Sequence, residues 1–136
     1  MNDITCIGFI GLGLIGGSIA KALHKFHPEI KLIAYDTDIT NTTKALNDGI
    51  IQGVASDVDA SFSICDIVFL CAPVSNNTEY LSILKDVLKQ GALLTDVGSV
   101  KTQMHEAVKE AGLEYCFIGG HPMAGSEKTG YANATD

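Results

Sequence analysis

Apolar residues fall in short unbroken runs separated by stretches where they recur every three or four positions, and this alternation continues along the chain. Ile4 to Ile10 is a near-continuous apolar run rich in β-branched residues, as expected of a strand buried on both faces. Leu14 to Phe26 then carries apolar residues at helical spacing. Lys31 to Asp36 predicts a second strand, Thr40 to Asn47 a helix ended by Gly49, and Ile50 to Val54 a short strand. Asp57 to Cys65 predicts a short helix. Asp66 to Cys71 is the clearest strand after the first and is closed by Ala72-Pro73. Ser75 or Asn76 caps a helix reaching Lys89, with Leu81, Leu84 and Leu88 on one face and Gly91 as its stop. Ala92 to Val97 predicts a fifth strand. Ser99 caps a helix to about Ala111 that stops at Gly112, and Tyr115 to Ile118 predicts a sixth strand ending in Gly119-Gly120-His121-Pro122.

Strand and helix in regular alternation imply a parallel, doubly wound α/β sheet. Six strands suit the order 3-2-1-4-5-6, the Rossmann-type arrangement, with ligands at the carboxyl ends of the strands. The turn after the first strand carries the matching glycine pattern, Gly11-Leu12-Gly13-Leu14-Ile15-Gly16. Gly11 permits the tight turn, Gly13 lets backbone approach a pyrophosphate, and Gly16 lets the helix pack closely on its strand. Unpaired N–H groups and the dipole at the start of that helix suit a diphosphate. Asp36 ends the second strand twenty residues after Gly16, where a carboxylate accepts hydrogen bonds from the adenosine ribose hydroxyls. A loop-capping Asp36 is the plainer explanation, but strand, turn, helix, second strand and acid in register favour a dinucleotide.

Charge decides which dinucleotide. The chain has nine lysines and no arginine, the usual partner of a 2′-phosphate, and Asp38 adds a second negative charge two residues beyond Asp36. NAD is therefore expected over NADP, with Lys44 the nearby cation that could accommodate a phosphate. At 136 residues the length fits one domain covering the whole chain, able to bury about two-thirds of its unfolded surface. A net charge of −7 argues against nucleic acid or an anionic membrane as partner. The apolar N-terminus has an acidic Asp3 where a signal sequence would be basic, and Lys21 interrupts it before a membrane span is reached. Cys6, Cys65, Cys71 and Cys116 show no C-x-x-C spacing, which fits buried thiols in a reducing compartment better than disulfides or a metal site, and predicts a cytoplasmic protein that needs no metal. The Asn41, Asn76 and Asn133 sequons carry no weight without a secretory signal.

The remaining candidates cluster at predicted strand ends. Ala72-Pro73-Val74 lies where the fourth strand meets its loop. Two readings fit it: Pro73 simply breaks the strand, or this backbone contacts the cofactor. Gly98 follows the fifth strand and lets a ligand approach the backbone. Ser99 is fully explained as a helix cap, though a hydroxyl there can serve cap and site together, and Lys101 reads as a solvated helix residue. Gly119-Gly120 opens room around His121, and Pro122 holds the backbone extended at it. An imidazole at this address can accept a proton from a hydroxyl while hydride leaves. His24, His27 and His105 lie on or beside helices and read as structural.

With those residues in view, the chain resembles the N-terminal domain of the prephenate dehydrogenase family, which includes arogenate and cyclohexadienyl dehydrogenases. The resemblance rests on Gly11 to Ser18, Asp96-Val97-Gly98-Ser99-Val100-Lys101 and Gly120-His121-Pro122-Met123-Ala124-Gly125-Ser126-Glu127, and covers essentially the whole chain. It implies NAD-dependent oxidative decarboxylation of prephenate to 4-hydroxyphenylpyruvate in tyrosine biosynthesis. By the same resemblance His121 draws the proton from the ring 4-hydroxyl, Ser99 orients His121 and that hydroxyl, and Ser126 and Glu127 border the substrate entrance. The family also carries a second, helical domain that dimerises, closes the cleft and supplies an arginine to the substrate carboxylates. This chain ends at Asp136 without arginine, so the expectation is a cofactor domain of a longer homodimeric enzyme, poorly active or inactive by itself. The competing readings are a stand-alone NAD-binding or regulatory module, an arogenate dehydrogenase, and a related hydroxyacid or imine reductase, whose later motifs fit badly here.

Overall fold

In a computed structural model, residues 3–98, 101–120 and 130–135 are described, with the side chains of Val74, Ser75, Lys101 and Asn133 outside that description. Six parallel strands form one sheet: β1 (Cys6–Ile10), β2 (Lys31–Tyr35), β3 (Gly53–Val54), β4 (Ile67–Leu70), β5 (Leu93–Asp96) and β6 (Phe117–Gly119), in the order β3-β2-β1-β4-β5-β6. Four helices connect them: α1 (Leu14–Phe26), α2 (Ile39–Asn47), α3 (Val74–Val87) and α4 (Lys101–Ala111). The predicted doubly wound fold and its strand order are therefore present.

Side-chain alternation along the strands divides the core in two. Cys6 and Ile10 of β1 join Val68, Leu70 and Leu94 in a layer with Leu81 and Leu84 of α3 and Met104 and Val108 of α4. Ile7 and Phe9 face the other way, onto Leu32, Ala34, Ala20 of α1 and Ala45 of α2. A glycine sits mid-strand in β1 because the first layer needs the space. A Cβ on Gly8 would lie 2.7 Å from the Phe62 ring and 2.8 Å from Cys65 Sγ.

The departures from expectation are local. β3 has only two residues, since pairing with β2 extends only from Ile33↔Gly53 to Ala34↔Val54. The predicted helix over Asp57 to Cys65 is a 3-10 turn, Ala60–Ile64, whose start is held by Asp59 accepting from the Ser61 N–H at 2.8 Å. α3 starts two to three residues earlier than predicted. Pro73 occupies its N-cap with no side-chain hydrogen bond, so neither Ser75 nor Asn76 caps it, and the helix ends at Val87 before Gly91 is reached.

One level row of residues crosses the sheet. Tyr35, Ile10, Leu70, Asp96 and Gly119 are successive partners across five strands. The residues just beyond them therefore emerge together at one edge of the sheet. At the opposite edge, Asp66 accepts from the Thr5 N–H (2.8 Å), the Cys6 N–H (3.0 Å), the Thr5 hydroxyl (3.2 Å) and Lys89 Nζ (2.6 Å), tying the starts of β1 and β4 to the chain after α3. After β6 the described chain resumes at Gly130, and Tyr131–Asn133 form a short 3-10 turn packed on α1 and α2.

Candidate dinucleotide-binding site

The glycine turn is shaped by what surrounds it. Gly11 has φ +95°, and a Cβ there would lie 2.6 Å from the backbone N of Ala72, so both conformation and space demand glycine. A Cβ on Gly16 would meet the Gly11 carbonyl at 2.7 Å and Cys71 Cβ at 3.1 Å, which is the close helix–strand contact the motif predicts. Gly13 differs from both: among the described residues, no atom lies within 4 Å of where its side chain would start. Open space therefore faces the N-cap of α1, where no side-chain cap bond takes the first N–H groups. This geometry leaves room for an anion at the helix start.

A cleft of about 460 Å³, open to solvent, begins at this turn. Ile10, Gly11 and Gly13 of the glycine turn, Cys71, Ala72 and Pro73 after β4, and Asp36 and Thr37 after β2 all line it. Tyr35, Asn76 and Tyr80 complete the lining. The two tyrosines meet edge to face, with centroids 6.2 Å apart, and burial with the neighbouring Tyr35 raises the Tyr80 phenol. Burial and the charge of Asp96 push the Cys71 thiol up to about 12, so it lines the cleft as a neutral group.

Asp36 has the loop-holding role that its position suggested. Its Oδ2 accepts from the Leu12 N–H at 2.7 Å and from Asn41 Nδ2 at 3.2 Å, and its Oδ1 accepts from the Asp38 N–H at 2.9 Å. A carboxylate offers roughly four acceptor directions. Three are taken among the described residues, which leaves an acceptor direction on Oδ1. Leu12 accordingly spends its N–H on Asp36 and buries its side chain in the core, while Leu14 and Ile15 are half-buried in the first turn of α1. Asp38 does more than add charge: it caps α2 by accepting from the Thr40 N–H at 3.0 Å, and its bonds to Thr40 hold its carboxyl below the usual range. Lys44 is paired with Asp48 at 3.6 Å.

Of the other expected site residues, Gly98 lies past β5 with its N–H on Asp96 Oδ2 at 3.3 Å, and the Gly120 N–H reaches Oδ1 of the same carboxylate at 3.3 Å. One buried carboxylate thus joins the exits of β5 and β6. Val74 begins α3. His121, Ser99, Ser126 and Glu127 lie outside the described residues. His27 sits 3.5 Å from Glu29, His105 packs edge-on against Phe117, and His24 is half-buried on α1, as their structural reading expected. Sequence reasoning missed Tyr35, Thr37, Asn76 and Tyr80 in the lining. It also missed Asn77, wholly buried, whose Nδ2 donates to the Ala72 carbonyl at 2.8 Å and so holds the loop facing the glycine turn. An asparagine in the first turn after Ala72-Pro73 was the available signal.

Residues 19–136 match the family described as "Prephenate dehydrogenase, nucleotide-binding domain". The prephenate dehydrogenase of Lactococcus lactis subsp. cremoris is 40% identical over 124 residues, covering 89% of this chain and 34% of that protein. Among solved structures, the prephenate dehydrogenase of A. aeolicus in complex with hydroxyphenyl propionate and NAD+ superimposes with a TM-score of 0.90 at 33% identity, over 99% of this chain and 47% of that one. The Synechocystis arogenate dehydrogenase gives 0.84 at 34% identity, over 96% and 45%. The chain thus spans between a third and a half of these relatives.

Proposed function

The chain belongs to the prephenate dehydrogenase family through its nucleotide-binding domain, and from that premise we propose that it binds NAD in the cleft between the glycine turn and the β4 exit. The observation that carries this reading is a single cleft lined by the glycine turn, Asp36 and the Ala72-Pro73 loop, with the middle glycine of the turn facing open space. Gly11, Gly13 and the first turn of α1 would hold the diphosphate, Asp36 the adenosine ribose, and Ala72 and Pro73 the opposite side of the dinucleotide. Asp36 and the exposed Asp38 disfavour a 2′-phosphate, and Lys44 is already paired with Asp48, which supports NAD over NADP.

The reaction we propose for the whole protein is oxidative decarboxylation of prephenate to 4-hydroxyphenylpyruvate. NAD, when bound, supplies the hydride acceptor. His121 takes the proton of the ring hydroxyl, Ser99 orients that imidazole and hydroxyl, and Ser126 and Glu127 border the entrance. Aromatisation of the ring provides the driving force, so positioning and a ready base are what the protein must add, the base contributing about 10²–10⁴-fold. A homodimer built through a further domain and a cytoplasmic setting complete the proposal, the latter in keeping with four free thiols.

Calorimetric titration of this chain with NAD and NADP tests the first half; tighter NADP binding would refute it. The intact protein, assayed with prephenate and with arogenate because the structural neighbours include both kinds of enzyme, tests the second. His121→Asn should lower kcat by about 10²–10⁴-fold with NAD affinity nearly unchanged, and near-normal turnover would end the assignment.

A further inference from the structure

Asn41 belongs to neither the glycine motif nor the strand-end motifs, yet its side chain makes two hydrogen bonds in opposite senses. Nδ2 donates to Asp36 Oδ2, and Oδ1 accepts from the Tyr131 N–H, both at 3.2 Å. Only one orientation of the amide serves both, because a carboxylate can only accept and a backbone N–H only donate.

Each partner is itself held. Asp36 is fixed by the Leu12 and Asp38 N–H groups. Tyr131 is wholly buried, and its hydroxyl donates to Asp48 Oδ2 at 3.2 Å. The ring lies 4.5 Å beneath Lys21 Nζ, which also donates to the Ala134 carbonyl at 2.7 Å. Gly17 of α1 is open-faced for this contact: a Cβ there would lie 3.0 Å from the Tyr131 ring and 2.8 Å from Ala134 Cβ. The Thr135 N–H closes the seat on Ser18 Oγ at 3.1 Å. One amide therefore bridges a carboxylate at the cleft rim to a segment ninety residues later in the chain.

We propose that Asn41 is a positioning residue for the cofactor. It holds Asp36 in the rotamer that leaves Oδ1 open to the adenosine ribose, and it makes that rotamer depend on the seating of Tyr131. The inference rests on the reading that Asp36 receives the ribose. Coupling of this kind is reciprocal, so a ligand that favours the same Asp36 rotamer also tightens the Tyr131 seat.

The test uses this chain with NAD, followed by calorimetry and amide hydrogen exchange, with thermal melts to confirm folding. Asn41→Ala removes both bonds. Asn41→Asp keeps an acceptor for the Tyr131 N–H but presents a like charge to Asp36. Leu12 and Asp38 still hold the carboxylate, so Asn41→Ala should weaken NAD by about three- to tenfold, and Asn41→Asp by more. In an Asp36→Ala background Asn41→Ala should add nothing. NAD should raise exchange protection over residues 130–135 in the parent chain and not in Asn41→Ala. If Asp36→Ala binds NAD like the parent, the ribose reading fails whatever Asn41 does. If Asp36→Ala binds weakly while both Asn41 variants bind normally, or if Asn41→Ala costs the same with and without Asp36, the positioning role is wrong.

Discussion

Replacing Asp66 with asparagine should destabilise the fold at neutral pH and do so progressively less in acid. The carboxylate accepts four hydrogen bonds, one of them from Lys89. Lys89 first, then the Thr5 N–H, hold its pKa well below the ordinary value of 3.8. The Lys89 side chain is 42% exposed, so the ion pair alone is worth less than about 1 kcal/mol. The two backbone N–H donors to a side chain that is only 18% exposed matter more. An asparagine keeps one acceptor oxygen and turns an N–H₂ toward the remaining donors, and we expect a loss of about 2 kcal/mol at pH 7. That corresponds to roughly 6–8 °C in Tm for a chain of this size.

The pH dependence separates charge from shape. A group whose folded pKa is depressed contributes fully above its unfolded value and loses that contribution as pH falls toward the folded one. At about pH 2.8, one unit below the unfolded value, linkage removes about 1.4 kcal/mol, so most of the difference between parent and variant should be gone. Urea unfolding of both proteins from pH 7 downward measures this. A gap that stays constant with pH, or no gap at pH 7, would show that the Asp66 charge does not hold the strand starts together.

Gly11→Ala should cost at least about 2 kcal/mol, because alanine must adopt φ +95° and also displace the Ala72 backbone; NAD titration of the refolded variant should show no binding, and a parent-like melt would refute the packing argument. Tyr131→Phe removes only the hydroxyl bond to Asp48 and should lower stability by about 1 kcal/mol in urea unfolding, with the ring still seated beneath Lys21. Cys71 is half-buried, but its thiol is pushed up to about 12, so it should react slowly with iodoacetamide at pH 8 while the chain is folded and faster once it is unfolded; equal rates in the two states, read by peptide mass, would contradict the raised thiol.

The parts of this fold legible in sequence are those set by neighbouring residues. Apolar runs marked the strands, helical spacing marked α1 and α3, and Gly49 and Gly112 followed the ends of α2 and α4. The glycine turn and Asp36 were legible because their spacing is a geometric requirement of one local unit. What escaped depends on distant partners. Nothing near Asn41 in the chain announces Tyr131, and nothing near Gly17 announces Ala134. Tyr80 lines the cleft while Leu81 next to it is buried, a distinction fixed by how α3 rotates against the sheet. Pro73 displaced the predicted serine or asparagine cap because its fixed φ already suits a helix entrance.

The level row Tyr35–Ile10–Leu70–Asp96–Gly119 has a consequence for how such a chain can tolerate change. Adding or deleting one residue within β1, β2, β4 or β5 would turn every later side chain of that strand to the wrong layer and shift one wall of the crevice by ~3.4 Å at the same stroke. Length variation should therefore be confined to the connections at the far edge, around Pro28 and Gln90, where the chain re-enters the sheet and neither layer nor crevice would register it.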